Sequence, residues 1–538
     1  MPLNDGINSH QDKVLKWHLD FFNQPDVIPL LSRIKHGIEK EGLRTDLYGN
    51  LALTPHPKLF GEPLTNQWLT TDFSESLLEF ITPVSESIDE SLDYLFNCHT
   101  LAYQILKDEI IWPNSMPSRL PSDAQIPIAQ YGNSNIAKMK TVYRRGLSLR
   151  YGRAMQTIAG IHYNFSLPET LWRKLFEKSK YFGQTEIKLL QDYIDKRYFD
   201  LIRNFRRNYW LLIYLFGASP CVDKSFIQER LNDLEQLNDK DLYKANATSL
   251  RMGDLGYQSK VQQSLSISYN SLDDYINSLS NALKKPYKPY EKFQKKENGF
   301  YQQLSSSILQ IENEFYSPIR PKQVIRLGET PLNALRYRGV EYIEIRCLDL
   351  NPFNPIGIDK KTIKFLDAFL LYCLCDDSEM SNDYETEIIS KNQSEIVNHG
   401  RKSDLLIQTS SGTQSIKEKS IEIFDKLEMI AKQLDKTHGS NDYLDSIKEQ
   451  KLKIKYSKLT ASSKILIQME KENLSFIDLN LKLAEQHANL FKHHKVDKLK
   501  HQNLLNLIKQ SIRIHKDFEQ KNEINFDQYL FEYFKEKK

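Results

Sequence analysis

Two kinds of periodicity divide the chain. Between residues 34 and 359, short aromatic and β-branched runs alternate with helical patterns and with turn clusters such as Thr54-Pro55-His56-Pro57 and Asn351-Pro352-Phe353-Asn354-Pro355. Polar and apolar positions alternate with period two at 160–166 and, from Ile343, through Arg346. Ile161, Tyr163 and Phe165 therefore share a face opposite His162, Asn164 and Ser166, and Ile343 and Ile345 lie opposite Glu344 and Arg346. Such strands predict an antiparallel sheet with one polar face. From residue 360 onward, Lys, Asn, Glu, Ile and Leu recur at helical spacing, as in Phe476-Ile477-Asp478-Leu479-Asn480-Leu481. Segments 376–403 and 435–456 are polar enough to read as mobile loops, and the Lys-Lys end as frayed. The predicted class is α+β: a catalytic core over 1–359 and a helical region over 360–538 packed on it, as one continuous domain.

Charge changes the picture by exclusion. Lys and Arg number 73 against 70 Asp and Glu, a net +3 that supplies no field to recruit nucleic acid or an anionic membrane. The first twenty residues lack the apolar core of a signal peptide, and no apolar run is long enough to span a bilayer, so a cytoplasmic protein is expected. Five scattered cysteines, Cys98, Cys221, Cys347, Cys373 and Cys375, read as reduced core residues.

Four polar patterns carry candidate chemistry. In Gly37-Ile38-Glu39-Lys40-Glu41-Gly42, two glutamates one residue apart share a strand face, which suggests a cation, though taken alone the pattern fits an exposed polar face better. Asp72, Glu75 and Glu79 interrupt an apolar, hydroxyl-bearing segment, where Glu75 and Glu79 also fit one face of an amphipathic helix. His162 and the Glu344/Arg346 pair lie beside buried positions. Where such carboxylates converge, each pair near 4 Å repels by about 4 kcal/mol at an effective dielectric of 20, which a cation relieves. Hard oxygen donors select Mg²⁺, and a histidine among them admits Mn²⁺ as a substitute. Neither a G-x-x-x-x-G-K-[ST] nor a G-x-G-x-x-G phosphate loop is present, so phosphates fall to metal and arginine on a sheet.

The motifs GIEKEGLR from Gly37, TTDFSESLLEFITPV from Thr70, YRRGL from Tyr143, YGRAMQTIAGIHYNFSLP from Tyr151, ATSLRMGDLGY from Ala247, QIENEFYSPIRPK from Gln310 and EYIEIRCLDLNPFNPIG from Glu341 together resemble the proteobacterial type of glutamate–cysteine ligase. The resemblance implies an antiparallel sheet bent into a funnel, similar to the glutamine synthetase catalytic core. It implies ATP-dependent joining of the glutamate γ-carboxylate to cysteine through γ-glutamyl phosphate, the first step of glutathione biosynthesis. By the same likeness the metal ligands are Glu39, Glu41, Asp72, Glu79, His162 and Glu344. Arg251 holds the glutamate α-carboxylate with Gln156 beside it, Arg346 and Glu344 act at the transferred phosphoryl group, and Phe73, Tyr143, Tyr257 and Tyr316 form the cysteine pocket. The expected partners are glutamate, cysteine and ATP, with no nucleic acid or membrane, and the expected state is a monomer. Two other readings remain open at this point: a ligase of the same kind with a different amine, and a non-catalytic sensor of glutamate or nucleotide.

Overall fold

The computed structural model describes residues 10–228, 230–256, 260–263, 265–326, 328–409, 412–521 and 524–535. Seven strands form its main sheet: β1 (Lys35–Asp46), β2 (Leu69–Thr71), β3 (Leu77–Ile81), β4 (Glu109–Ile111), β5 (Ile161–Ser166), β6 (Ile319–Lys322) and β7 (Tyr342–Leu348). Their spatial order is β6-β7-β5-β1-β3-β2, with β4 paired to the far end of β1, and every pairing is antiparallel. The expected antiparallel sheet ringed by helices is therefore present. The Asp72–Glu79 segment is not a helix: β2, a turn and β3 form a hairpin, so Glu79 shares a sheet face with Glu41 while Glu75 sits in the turn.

Helices that bear on the site are α1 (Ile88–Ile105), α2 (Asn135–Tyr151), α3 (Lys360–Cys375), α4 (Asp383–His399), α5 (Asp442–Lys455), α6 (Phe476–His493) and α7 (Phe526–Lys535). Ser475 caps α6, its hydroxyl accepting from Asp478 N. The two segments read as loops are mostly helical. α4 buries Ile388, Ile389, Ile396 and Val397, and α5 buries Tyr443, Ile447 and Ile454. Their buried stripes include Asn392, Gln393, Ser446 and Gln450, which makes the composition look solvated although the spacing is helical. Residues 536–538, expected to fray, lie outside the described residues.

One apolar cluster runs from Leu15 to Ile508 and takes in both halves of the sequence. It lies under the apolar face of the sheet, where Ile38, Phe80, Ile161, Tyr163, Ile343 and Ile345 are all fully buried. All five cysteines are buried and unpaired with one another, and burial pushes the Cys347 thiol up to about 12. No helix among the described residues is long and apolar enough to cross a membrane.

Candidate active site

The polar face of the sheet forms the floor of a cavity of about 600 Å³ lined by Glu39, Glu41, Asp72, Glu79, His162, Glu344 and Arg346. Strand register creates this grouping. β1 sets Glu39 opposite His162 on β5 and Glu41 opposite Glu79 on β3, while β7 sets Glu344 opposite Asn164. Opposed like charges destabilise a sheet on their own. Arg44 shows what the rest of the first motif does: fully buried, it donates to Glu109, to Thr54 and to the Glu75 carbonyl, tying β1 to the loops around it.

His162 stands at the centre. Its Nδ1 lies 3.0 Å from Glu39 Oε2 and 4.0 Å from Glu344 Oε1, and its Nε2 is 3.9 Å from Glu41 Oε1. Asn164 Nδ2 donates to the other Glu39 oxygen at 2.9 Å, and the Gly160 amide donates to Glu41 Oε2 at 2.6 Å. Two donor groups result, Glu39–His162–Glu344 and Glu41–Glu79–His162, each with ligand atoms within 4.8 Å of one another. The buried Nε2 of His162 has no hydrogen-bond partner. A ring nitrogen aimed between carboxylates and left without a proton partner fits a metal ligand, as does the oxygen-rich donor set for Mg²⁺.

The electrostatics divide the cluster. Burial, followed by the charges of Glu39, Asp72 and Glu41, pushes the Glu79 carboxyl well above the usual carboxylate range. Burial likewise raises Glu41. Burial acts upward on Glu344 too, but Lys322 and Arg346, 3.2 Å away on either oxygen, together with His162 hold it well below that range. For Glu39 the upward effect of burial is outweighed by the hydrogen bond with His162, and the net direction is down. A divalent ion reverses the logic at Glu41 and Glu79, because a bound ligand must be deprotonated.

Placement of the other expected residues varies. Phe73, Tyr143, Gln156 and Tyr316 line the cavity, and Gln156 Nε2 donates to the Tyr316 hydroxyl at 2.9 Å. Arg251 does not line it. Its wholly buried guanidinium lies behind the floor, giving Nη2 to the Arg346 carbonyl at 2.8 Å and facing Asp349 at 3.7 Å. Gly160 makes room for it: a Cβ there would stand 2.0 Å from Arg251 Nη2. Tyr257 lies outside the described residues. The sequence reading passed over three sets of residues on the cavity wall. Arg320 and Lys322 are two apart on β6 and therefore on one face, a signal present in the quoted Pro318-Ile319-Arg320-Pro321-Lys322 run. Lys140 and Arg144 lie on α2, where burial and then Arg144 lower the Lys140 ammonium to about 8. Tyr529 and Tyr533 come from α7, and nothing local in the sequence announces where that helix docks.

An antiparallel sheet with buried carboxylates, a shared histidine and a rim of cations fits an enzyme for anionic substrates. The family model described as glutamate-cysteine ligase matches residues 19–396, and the chain belongs to that family. A glutamate–cysteine ligase of Alcanivorax borkumensis is 44% identical over 514 residues, covering 95% of this chain and 97% of that protein. One from Pseudomonas putida is 45% identical, covering 94% of this chain and 95% of its own. Among solved structures, the glutamate–cysteine ligase of Francisella tularensis in complex with AMP superposes with a TM-score of 0.87 at 35% identity, over 94% of this chain and 98% of that one. A bifunctional glutathione synthetase from Pasteurella multocida gives 0.64 at 25% identity, over 88% of this chain and 53% of its own.

Proposed function

We propose that the protein uses ATP to join the γ-carboxylate of L-glutamate to the amine of L-cysteine, giving γ-glutamylcysteine, ADP and phosphate in the first step of glutathione biosynthesis. The observation that carries this reading is the pair of donor groups sharing His162 at the base of a cavity rimmed by Arg320, Lys322 and Arg346. A carboxylate does not condense with an amine at neutral pH, so the γ-carboxylate is first phosphorylated and the amine then displaces phosphate from the acyl phosphate. Magnesium, held by Glu39, Glu41, Asp72, Glu79, His162 and Glu344, would supply charge neutralisation at the phosphates.

The chain's own side chains do the remaining work. Arg346 and Lys322, already oriented by Glu344, present positive charge to the transferred phosphoryl group. Phe73, Tyr143 and Tyr316, uncharged residues of the cavity lining, receive the cysteine side chain. Arg251 braces the strand that carries Arg346 by binding its carbonyl, and by the family likeness it takes the glutamate α-carboxylate. This reading also puts the enzyme in the cytoplasm and makes it a monomer, which sedimentation velocity checks.

Phosphate release from ATP and Mg²⁺ with glutamate, measured with and without cysteine and paired with mass detection of the product, tests the proposal. Release that depends on both amino acids with γ-glutamylcysteine formed supports it. Glutamate-dependent release with a preference for another amine keeps the ligase chemistry and removes the cysteine assignment, and no turnover of ATP favours a sensor.

A further inference from the structure

The cavity is completed by the last helix of the chain. Tyr529 and Tyr533, four apart on α7, line it alongside Ile136, Met139 and Tyr143 of α2. Their rings lie 6.4 Å apart, inclined by 25°. Between them Leu530, 2% exposed, enters a small apolar cluster with Met139, Val142, Leu304 and Ile311, separate from the main core, and Tyr143 packs on the same cluster.

The helix is pinned at its beginning. The Asp527 carboxylate takes Lys296 Nζ at 2.7 and 2.8 Å and the Tyr301 hydroxyl. Lys296 and Tyr301 face each other across a two-stranded ribbon. The Phe526 ring meets Tyr301 edge-on at 5.2 Å, and Asn135 Nδ2 donates to the Ile524 carbonyl at 2.9 Å. Lys296 and Asp527 are exposed, and such pairs contribute little. Docking therefore depends on the small cluster, which couples the position of α7 to that of Tyr143.

Charge decides which substrate this wall meets. The floor gathers the carboxylates with Lys322 and Arg346, whereas Met139, Tyr143, Tyr529 and Tyr533 bring uncharged, mostly aromatic surface to the side of α2 and α7, where the cations Lys140 and Arg144 are turned over the Tyr131 ring. A small thiol side chain fits such a lining and a triphosphate does not. Resting on the ligase reading above, we propose that α7 is the wall that sets the size limit for the amine substrate, with Tyr529 and Tyr533 as its specificity-determining residues and Leu530, through the small apolar cluster, as the positioning residue that seats them.

Steady-state kinetics on the full chain test this. Replacing both tyrosines by alanine is expected to raise KM for cysteine about tenfold, with kcat and KM for ATP within about twofold. The same change is expected to improve kcat/KM for amino acids bulkier than cysteine relative to cysteine itself. Leu530→Ala, which spares the lining but loosens the cluster that seats α7, is expected to shift KM for cysteine in the same direction by about two- to threefold. Circular dichroism separates these effects from unfolding. An unchanged KM for cysteine in the double variant, or a rise confined to ATP, overturns the assignment. Tyr143→Ala run alongside separates the two levels of argument: if it raises KM for cysteine and the double variant does not, only the role of α7 falls. If neither does, the aromatic pocket falls with it.

Discussion

On the cavity side of β1, Glu39 and Glu41 stand among Asp72, Glu79 and Glu344 around one histidine. On the opposite side of the same strand, His36, Ile38 and Lys40 are shut into the core. There His36 Nε2 lies 3.1 Å from Asp367, Tyr163 donates to the same carboxylate at 2.5 Å and Tyr443 at 3.3 Å, so α3, α5, β1 and β5 meet in one satisfied network. Lys40 holds its ammonium 5.6 Å over the Phe80 ring, and burial lowers it to about 7. The core side thus balances its polar groups with protein atoms or by giving up charge. The cavity side leaves Glu41 and Glu79 raised by burial and by neighbouring acids, with His162 Nε2 unpartnered, a crowding that a bound cation would relieve. Variants on the two sides should therefore separate activity from stability.

Arg346→Ala has the largest expected effect. Loss of a cation at the developing phosphoryl charge is expected to lower kcat by about 10²–10³-fold, equivalent to about 2.7–4 kcal/mol, with little change in Tm. Near-parental turnover would take Arg346 out of the mechanism. Tyr163→Phe is the matching change on the core side. It removes one hydrogen bond to a buried carboxylate while keeping the ring, and is expected to cost about 1.5–3 kcal/mol in urea unfolding. Its magnesium dependence is expected to match the parent, and a shifted dependence would show that the two faces are not independent.

Glu39→Gln comes next. It keeps the shape but removes the negative charge of one donor, and the Mg²⁺ concentration for half-maximal rate is expected to rise about tenfold, or about 1.4 kcal/mol, with the rate recovered at high Mg²⁺. An unchanged magnesium curve would sink its role as a ligand.

The cavity floor was legible in the sequence because strands repeat every two residues. Glu39 with Glu41 and Glu344 with Arg346 had to share faces once their runs were strands, and His162 followed from the apolar neighbours at 161 and 163. What alternation does not contain is which strands become neighbours, so the Glu41–Glu79 opposition and the approach of Lys322 to Glu344 appear only with the register. Residues held by tertiary packing were harder still. Arg251 sits behind the floor because the glycine just before β5 lets it in, and α7 reaches the cavity from the helical region with nothing local in its sequence to give its docking place. The helices α4 and α5 were missed for a related reason: Asn392, Gln393 and Gln450 are buried polar groups inside helical stripes.

The smallest effect expected concerns acid. On the core side, burial and then the charge of Lys40 lower His487 to about 4, and burial lowers His99 well below the ordinary imidazole range. His99 also stacks on Phe80 at 4.1 Å. A histidine held neutral in the folded state takes up its proton in the unfolded chain first, so the unfolded state binds more protons between the two pKa values and stability falls as pH falls. For His487 the window runs from about 6.5, its unfolded value, down to about 4. One pH unit below the unfolded value this group alone is expected to remove about 1 kcal/mol, with His99 acting in the same direction. Urea unfolding of the parent and of His487→Gln between pH 7.5 and 5.5 measures it: the variant is expected to show a shallower decline. Equal slopes would mean that His487 takes up its proton in the fold as readily as in the unfolded chain, and that this part of the core side, like the cavity floor, accepts charge from outside.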